Sequence, residues 1–331
     1  MTSEIQLHIS NYRRTLQFVC RFESKNITIK SKLIQYDIIR RRNDRDQIFI
    51  SGSWDQSFMV WNIFDFTLKK KVSAHSDFIS SMIRTDKYLI TGGCDKFIKV
   101  WEINNNFELM KSYLAHKGYV YSLIIYRESI LVSGGGDNVI NIWDIKKDFL
   151  LINTLSDHTG FIYAMFIDND LLYTCSSDLS VKVWNLTKFE LVKTLTGGDS
   201  QKMNINAVGV VNNHVYCGGD SGYLTIWSIS NKEYKQVFIK NLENTILCSK
   251  VYLNYACIGG RSILKLFDSS NNFELYKSFD INLHVRSICF KQDQYLIAGC
   301  NNSSILVFDF LKSTEISRTL KNHSSDIKSL V

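Results

Sequence analysis

The chain has 331 residues, of which 45% are hydrophobic and 21% charged, and it contains no proline. These values are typical of a globular protein; they exclude extended disorder and a proline-rich arm. The formal net charge is +7, and its distribution along the chain is more informative than its size. No segment has the roughly 18 uncharged apolar residues of a membrane-spanning helix, and the start of the chain lacks the pattern of a secretory signal.

Residues 1–45 are predicted to form a basic N-terminal extension. They hold ten Lys and Arg against four Asp and Glu, a net charge of +6, so residues 46–331 carry only +1. Two stretches, 15–22 and 27–32, alternate as strands do. A short basic cluster has two interpretations, a solvated loop or a contact for an anion, and its isolation favours the loop. The cluster consists of Arg40, Arg41, Arg42 and Arg45.

Residues 46–331 contain a pattern that repeats every 40 to 43 residues. Each repeat has a short alternating strand that ends on an aromatic residue, preceded by a strand that ends in a turn of small residues. Such alternation, with Gly, Ser and Asp turns, predicts strands throughout, and no helical period persists. The fold class is therefore all-β. The aromatic residues are Trp61, Trp101, Trp143, Trp184, Trp227, Phe267 and Phe308.

These repeats resemble the WD-repeat β-propeller family over 286 of the 331 residues. The period, the Trp-Asp-like endings and an aspartate six residues before the tryptophan in four repeats carry the resemblance. It implies a seven-bladed β-propeller of four-stranded antiparallel blades. Propellers of this family are mostly non-catalytic platforms for protein partners, although a fold alone does not define a function.

The resemblance also implies a buried relay in which Asp, His, a hydroxyl group and the indole N–H are linked by hydrogen bonds. The same residue types form hydrolase triads, but the set recurs in several repeats whereas an enzyme needs one active site. We therefore interpret it as structural and predict no catalytic residue. The complete sets are His75, Thr91, Asp95 and Trp101; His116, Ser133, Asp137 and Trp143; and His158, Thr174, Asp178 and Trp184.

The first repeat lacks a histidine of its own. The last nine residues, 323–331, align without a gap to 75–83, the opening strand of the second repeat. We predict that 326–331 forms the innermost strand of blade one, because such closure removes exposed sheet edges. The alternative takes that strand from 33–39 and leaves the C-terminus unpaired. The closed blade would hold a fourth relay of Ser51, Asp55, Trp61 and His323.

In this family the residue before each inner strand faces the central entrance of the top surface, as does the residue before the turn aspartate. In blades one to four these positions include four aromatic residues, whereas blades five to seven are polar. Exposed aromatic residues are typical of a protein-binding hot spot; alternatively they close the top edge of the core. The predicted partner-binding residues are Trp54, Phe78, Tyr119, Phe161, His284 and Asp326.

The leading functional prediction is a non-enzymatic interaction scaffold or adaptor in a larger complex. One alternative is binding of a phosphoinositide or RNA through the basic extension, although the F/L-R-R-G loop of phosphoinositide-binding propellers is absent. Another is a substrate receptor of a ubiquitin ligase, although no F-box-like segment precedes the repeats. No nucleophile, metal cluster or phosphate loop favours an enzyme, and no cofactor is predicted.

The eight cysteines include no C-x-x-C pair, which predicts reduced, buried thiols in a cytoplasmic or nuclear protein.

Overall fold

A computed structural model describes residues 48–197, 203–291, 294–310 and 312–331. These residues form seven sheets of four antiparallel strands, which are the blades of a β-propeller. The all-β, seven-bladed fold predicted from the repeats is confirmed. The strands predicted in segment 1–45 lie outside the described residues.

Six blades use four strands that are consecutive in the chain, and blade one borrows its inner strand from the C-terminus. From the inner to the outer strand the blades are as follows. Blade one has β28 (Ile327–Leu330), β1 (Ile48–Ser53), β2 (Ser57–Asn62) and β3 (Leu68–Ser73); blade two has β4 (Ile79–Arg84), β5 (Tyr88–Gly93), β6 (Phe97–Glu102) and β7 (Glu108–Leu114). Blade three has β8 (Val120–Tyr126), β9 (Ile130–Gly135), β10 (Ile140–Asp144) and β11 (Leu150–Leu155); blade four has β12 (Ile162–Asp168), β13 (Leu171–Ser176), β14 (Ser180–Asn185) and β15 (Glu190–Thr196). Blade five has β16 (Ile205–Val211), β17 (His214–Gly219), β18 (Tyr223–Ser230) and β19 (Glu233–Asn241). Blade six has β20 (Ile246–Tyr252), β21 (Tyr255–Gly260), β22 (Ile263–Asp268) and β23 (Glu274–Ser278); blade seven has β24 (Val285–Lys291), β25 (Tyr295–Cys300), β26 (Ser304–Asp309) and β27 (Arg318–Lys321).

The burial of each strand follows from its place in the blade. The second strands, such as β1, are buried almost throughout, because neighbouring blades cover both of their faces. The outer strands are mostly exposed and carry charge, as the sequence LKKKVS of β3 shows. Charged residues on an outer strand also discourage pairing with other chains. The core therefore consists of apolar clusters between adjacent blades; one example joins Ile50 and Phe58 of blade one to Met82 and Trp101 of blade two.

The turn between the second and third strands has the same conformation in every blade. The residue five positions before the aromatic residue has a positive φ in all seven blades, for example 66° at Gln56 and 75° at Lys96. Side chains rarely adopt this region of φ, and glycine occupies the position in blade five alone, at Gly222 with φ 76°. In blade one the side chain of Asp55 holds the turn, because its Oδ1 accepts a hydrogen bond of 3.0 Å from the backbone N–H of Ser57.

The ring closes as predicted. Strand β28 pairs antiparallel with β1, with Leu330 opposite Ser51 and Ser329 opposite Gly52. The backbone N–H of Ile50 donates to the carbonyl of Val331 at 2.8 Å. The prediction that 326–331 completes blade one is confirmed, and the alternative of an inner strand from 33–39 is wrong.

Cationic side chains on outer strands link blades around the rim. Among the described residues, such a side chain in five blades contacts the following blade, at the turn before its outer strand, at the start of that strand or at the end of its third strand. These contacts are Lys70 to the carbonyl of Asn106, Lys111 to Asp148, Lys240 to Glu274, Lys277 to the carbonyl of Phe310, and Arg318 to the carbonyl of Asp65. Blade three has the neutral Asn153 at the position that Lys111 occupies in blade two. Since these contacts are largely exposed, each adds only a small stabilisation.

Candidate interaction surface

Each relay is a chain of three hydrogen bonds across two strands and the preceding loop. In blade three the indole N–H of Trp143 donates to Ser133 Oγ at 2.9 Å. The Ser133 hydroxyl lies 2.8 Å from Nε2 of His116, and Nδ1 of the same ring lies 2.9 Å from the carboxylate of Asp137. Every polar atom of this buried chain therefore has a partner, which avoids the cost of an unsatisfied group.

The relay of blade one joins the two ends of the propeller. His323 Nε2 lies 2.7 Å from Ser51 Oγ, and His323 Nδ1 lies 2.9 Å from Asp55 Oδ2. The indole N–H of Trp61 donates to Ser51 Oγ at 2.8 Å. The structure also brings together the members of the other two predicted sets: His75, Thr91, Asp95 and Trp101 in blade two, and His158, Thr174, Asp178 and Trp184 in blade four.

The relays are buried, whereas the nucleophile of a hydrolase must be open to its substrate. Burial alone would raise the pKa of Asp55, but hydrogen bonds from His323 and Ser57 outweigh it and hold the pKa well below its ordinary value. The pKa of Asp178 is lowered in the same way, against burial, by His158 and Ser180. The hydroxyls of Ser51 and its equivalents are fully buried, so a substrate has no route to them. Their role is to satisfy buried groups.

Blades five to seven replace the relay by apolar packing. Ten residues before the aromatic residue, where the other blades have Ser or Thr, these blades carry Cys217, Cys257 and Ala298, all fully buried. Two histidine positions are filled by Leu242 and Ile281, which are also buried. The loss of the hydroxyl in these three blades is marked in the sequence by its fixed spacing of ten residues before the aromatic residue.

The first group of aromatic residues on the top face lies where blades one, two and seven meet. The rings of Trp54 and Phe78 stack with centroids 5.0 Å apart and planes inclined by 14°. The guanidinium of Arg286 lies 4.6 Å from the centre of the Trp54 ring. At this distance a cation is attracted to the ring. Arg286 also forms an ion pair of 2.7 Å with Asp326. Arg286, which the sequence did not mark, thus links Trp54 to Asp326, while Phe78 packs on Trp54.

The second group lies on blades three and four. Tyr119 and Phe161 are 44% and 43% exposed, and both rings contact Tyr121, at centroid distances of 5.9 and 6.0 Å. Tyr163 packs against Tyr121 at 5.1 Å. Burial raises the pKa of Tyr121 to about 12, so this hydroxyl stays neutral. Tyr121 and Tyr163 were also missed, although each directly follows the first residue of an inner strand.

The remaining top positions are polar and partly buried. The backbone N–H of His284 donates to Asn301 Oδ1 at 3.0 Å, and Asn204 donates to Asp220 at 3.0 Å. These side chains are thus held by neighbouring loops, and a partner-binding role for His284 and Asp326 stays a prediction. Arg40, Arg41, Arg42 and Arg45 lie outside the described residues, so their predicted contact with an anion stays a prediction.

The opposite face contains a cavity of about 800 Å³ at the lower mouth of the central channel. It is lined by the ends of inner strands from blades one, two, three, six and seven, including Tyr252, Phe290 and Lys250.

Within the described part of the chain, no group of His, Cys, Asp and Glu has the arrangement of a metal site. None of the described helical turns has the length and hydropathy needed to cross a membrane. The seven cysteines that the structure describes are free, and all but Cys248 are buried.

The architecture defines the class of the protein, a seven-bladed β-propeller. The WD40 family model, described as "WD domain, G-beta repeat", matches it three times, over residues 66–102, 107–144 and 149–185. These matches and the seven blades confirm the predicted resemblance to the WD-repeat propellers. WD40 propellers generally mediate protein–protein interaction or scaffolding and are typically non-enzymatic.

Similar proteins support the same fold. The chain is 25% identical over 162 residues to "Myosin heavy chain kinase C" of Dictyostelium discoideum, a match that covers 48% of this chain and only 15% of that protein. The crystal structure of the computationally designed Ika8 protein has a TM-score of 0.67 at 20% identity, with 86% of each chain covered. The structure of U3-55K has a TM-score of 0.69 at 19% identity, covering 77% of this chain and 85% of that one. At these identities the two structures show a shared fold.

Proposed function

We propose that the chain is a non-enzymatic interaction scaffold or adaptor that binds protein partners through the aromatic half of its top face. The observation that carries the proposal is the exposure of three ring side chains beside the channel entrance: Phe78, Tyr119 and Phe161 are 39%, 44% and 43% exposed. Large rings that are already held in place lose little entropy on binding and bury much area, which is what a hot spot requires.

The alternative interpretation of these rings is that they close the top edge of the core. The burial of the residue that follows each ring contradicts this alternative. Ile79, Val120 and Ile162 are fully buried and begin the inner strands, so the core beneath is already sealed by aliphatic side chains. The aromatic residues above them add an exposed layer that packing of the blades does not require.

The kinase in the name of the Dictyostelium relative does not motivate an enzyme proposal, because the match spans 15% of that protein. A cytoplasmic or nuclear location accords with the free thiols of the described cysteines and belongs to the same proposal. Binding of phosphoinositide or RNA and a role as a ubiquitin-ligase receptor stay predictions from the sequence.

The test is affinity purification of the full chain from cells, comparing wild type with the double variant Trp54→Ala and Tyr119→Ala. Each substitution should weaken a hot-spot contact by 1 kcal/mol or more, so we expect a loss of about tenfold or more in recovered partner. The matched control is Tyr276→Ala, which removes a ring that is 57% exposed on the outer strand of blade six. Circular dichroism must show intact folding of both variants. An unchanged set and yield of partners in the folded double variant would refute the proposal.

A further inference from the structure

A ring of bulged residues lies just inside the top entrance of the channel. In all seven blades the register between the inner strand and its neighbour shifts directly after the first inner-strand residue. A bulge of this kind re-aims one side chain away from the ladder. The bulged residues are Ser80, Tyr121, Tyr163, Asn206, Leu247, Arg286 and Lys328. Two tyrosines thus occupy adjacent blades three and four, and two cations occupy adjacent blades seven and one.

The two cations differ in their partners. Arg286 is engaged by the carboxylate of Asp326 and by the ring of Trp54. The ammonium group of Lys328, by contrast, has no hydrogen bond or ion pair within the described part of the chain, and Asp326 acts on it through its charge alone. Burial and then the charge of Arg286 lower the pKa of Lys328. The two cations, Arg286 and Lys328, therefore share the charge of one carboxylate, Asp326. The site keeps a net positive charge that an incoming anion would stabilise.

The carboxylates of the surrounding loops are already used. Asp326 pairs with Arg286 at 2.7 Å, and Asp220 accepts hydrogen bonds of 3.0 and 2.8 Å from Asn204 and Asn206. Asp77 accepts a hydrogen bond from the backbone N–H of Phe78. Among the described residues these carboxylates are held by other groups, so an acidic side chain of a partner would add the negative charge that the site lacks.

We propose that Lys328 and Arg286 form an anion-recognising subsite of this interaction surface, and that it takes the carboxylate of a Glu or Asp side chain from the partner. The inference rests on the proposed function and deepens it, because it states the chemistry of the partner. The partner segment places an apolar side chain on the Trp54–Phe78 stack and directs the neighbouring carboxylate into the channel beside Lys328. Charge-assisted hydrogen bonds in a partly desolvated site give this subsite both affinity and direction.

The test is a selection of random peptides displayed against the full chain, followed by titration of the selected peptides. We expect an acidic residue at one fixed position of the peptides that bind wild type. Replacing that residue by Gln, or Lys328 by Gln, should weaken binding by about tenfold or more, since hydrogen bonds to charged groups are the strong ones. Lys328→Arg should retain much of the affinity. The matched control is Lys250→Gln, at the lower mouth of the channel.

The outcomes separate this inference from the proposed function. Selected peptides without a fixed acidic position, or with one that is insensitive to Lys328→Gln, would overturn the subsite. Tighter binding of the same peptide with phosphoserine in the acidic position would overturn the assignment to a carboxylate in favour of phosphate. Peptides that depend on Lys328 but not on Trp54 would uphold the subsite and refute the aromatic surface. If Lys328→Gln fails to fold, two measurements on the wild-type chain still test the subsite. Replacing the acidic residue of the peptide by Gln should weaken binding, and so should added salt.

Discussion

Removal of the Ser133 hydroxyl is the sharpest test of the relay. Ser133→Ala deletes one oxygen and leaves little cavity, so its cost is that of two buried groups that lose their partner, the Trp143 indole N–H at 2.9 Å and His116 Nε2 at 2.8 Å. An unsatisfied buried group costs about 1–3 kcal/mol, so we expect the free energy of unfolding to fall by about 2–6 kcal/mol. At roughly 1.7 °C per kcal/mol for a domain of this size, Tm should fall by at least ~3 °C.

Blade seven supplies the control for this prediction, because it fills the corresponding positions with Ile281, Ala298, Asn302 and Phe308. Converting blade three to the same set should destabilise the propeller less than Ser133→Ala alone. The three buried partners then become apolar, and the Asn in the turn can accept from the turn backbone as Asn302 does, so no buried group is left unsatisfied. Urea unfolding followed by circular dichroism measures both variants, and an unchanged m-value verifies that the transition is comparable. A cost below about 0.5 kcal/mol for Ser133→Ala would refute the reasoning.

Three further predictions follow from the structure. Removing 323–331 should lower Tm strongly, because the burial of Ile327 and Leu330 alone contributes about 3–6 kcal/mol; an unchanged melting curve would contradict closure by this strand. The free energy of unfolding should fall as the pH drops below 3.8, because the pKa of Asp178 is lowered from that value in the folded state and its stabilisation is lost as the carboxylate is protonated. In acid denaturation, Asp178→Asn should make the free energy of unfolding depend less steeply on pH than in wild type. An equally steep fall in the variant would contradict this assignment to Asp178. Lys111→Met, at the rim contact to Asp148, should change stability by less than about 1 kcal/mol in urea unfolding.

The regular features of the propeller could be predicted because the sequence repeats them. The tryptophans, the turn aspartates and the strand alternation recur at fixed spacing, and the alignment of 323–331 with 75–83 indicated the closing strand. Each of these signals depends on a position that has the same role in several blades. The partners within each relay followed from the family resemblance.

The residues that give each blade its individual surface could not be predicted in the same way. Arg286 and Lys328 occupy the bulge position of their respective blades. The residue type at this position differs between most blades, so no repeated pattern marks the two cations. Their significance comes from neighbours in other blades, such as Trp54, which lies far away in the sequence. Side-chain contacts between blades depend on the assembled ring, and local spacing carries no information about them.

Closure of blade one also sets the order in which the blades can be completed during synthesis of the chain. His323 is hydrogen-bonded to Ser51 across 272 residues of chain, a distance that takes roughly 14–55 s to translate at about 5–20 residues per second. Throughout that interval β1, the first strand of the propeller, lacks its native inner partner β28, and an unpaired strand edge is prone to pair with other chains. The earliest blade to leave the ribosome is therefore the last to become complete, and the demand on chaperones should be concentrated at the start of the propeller.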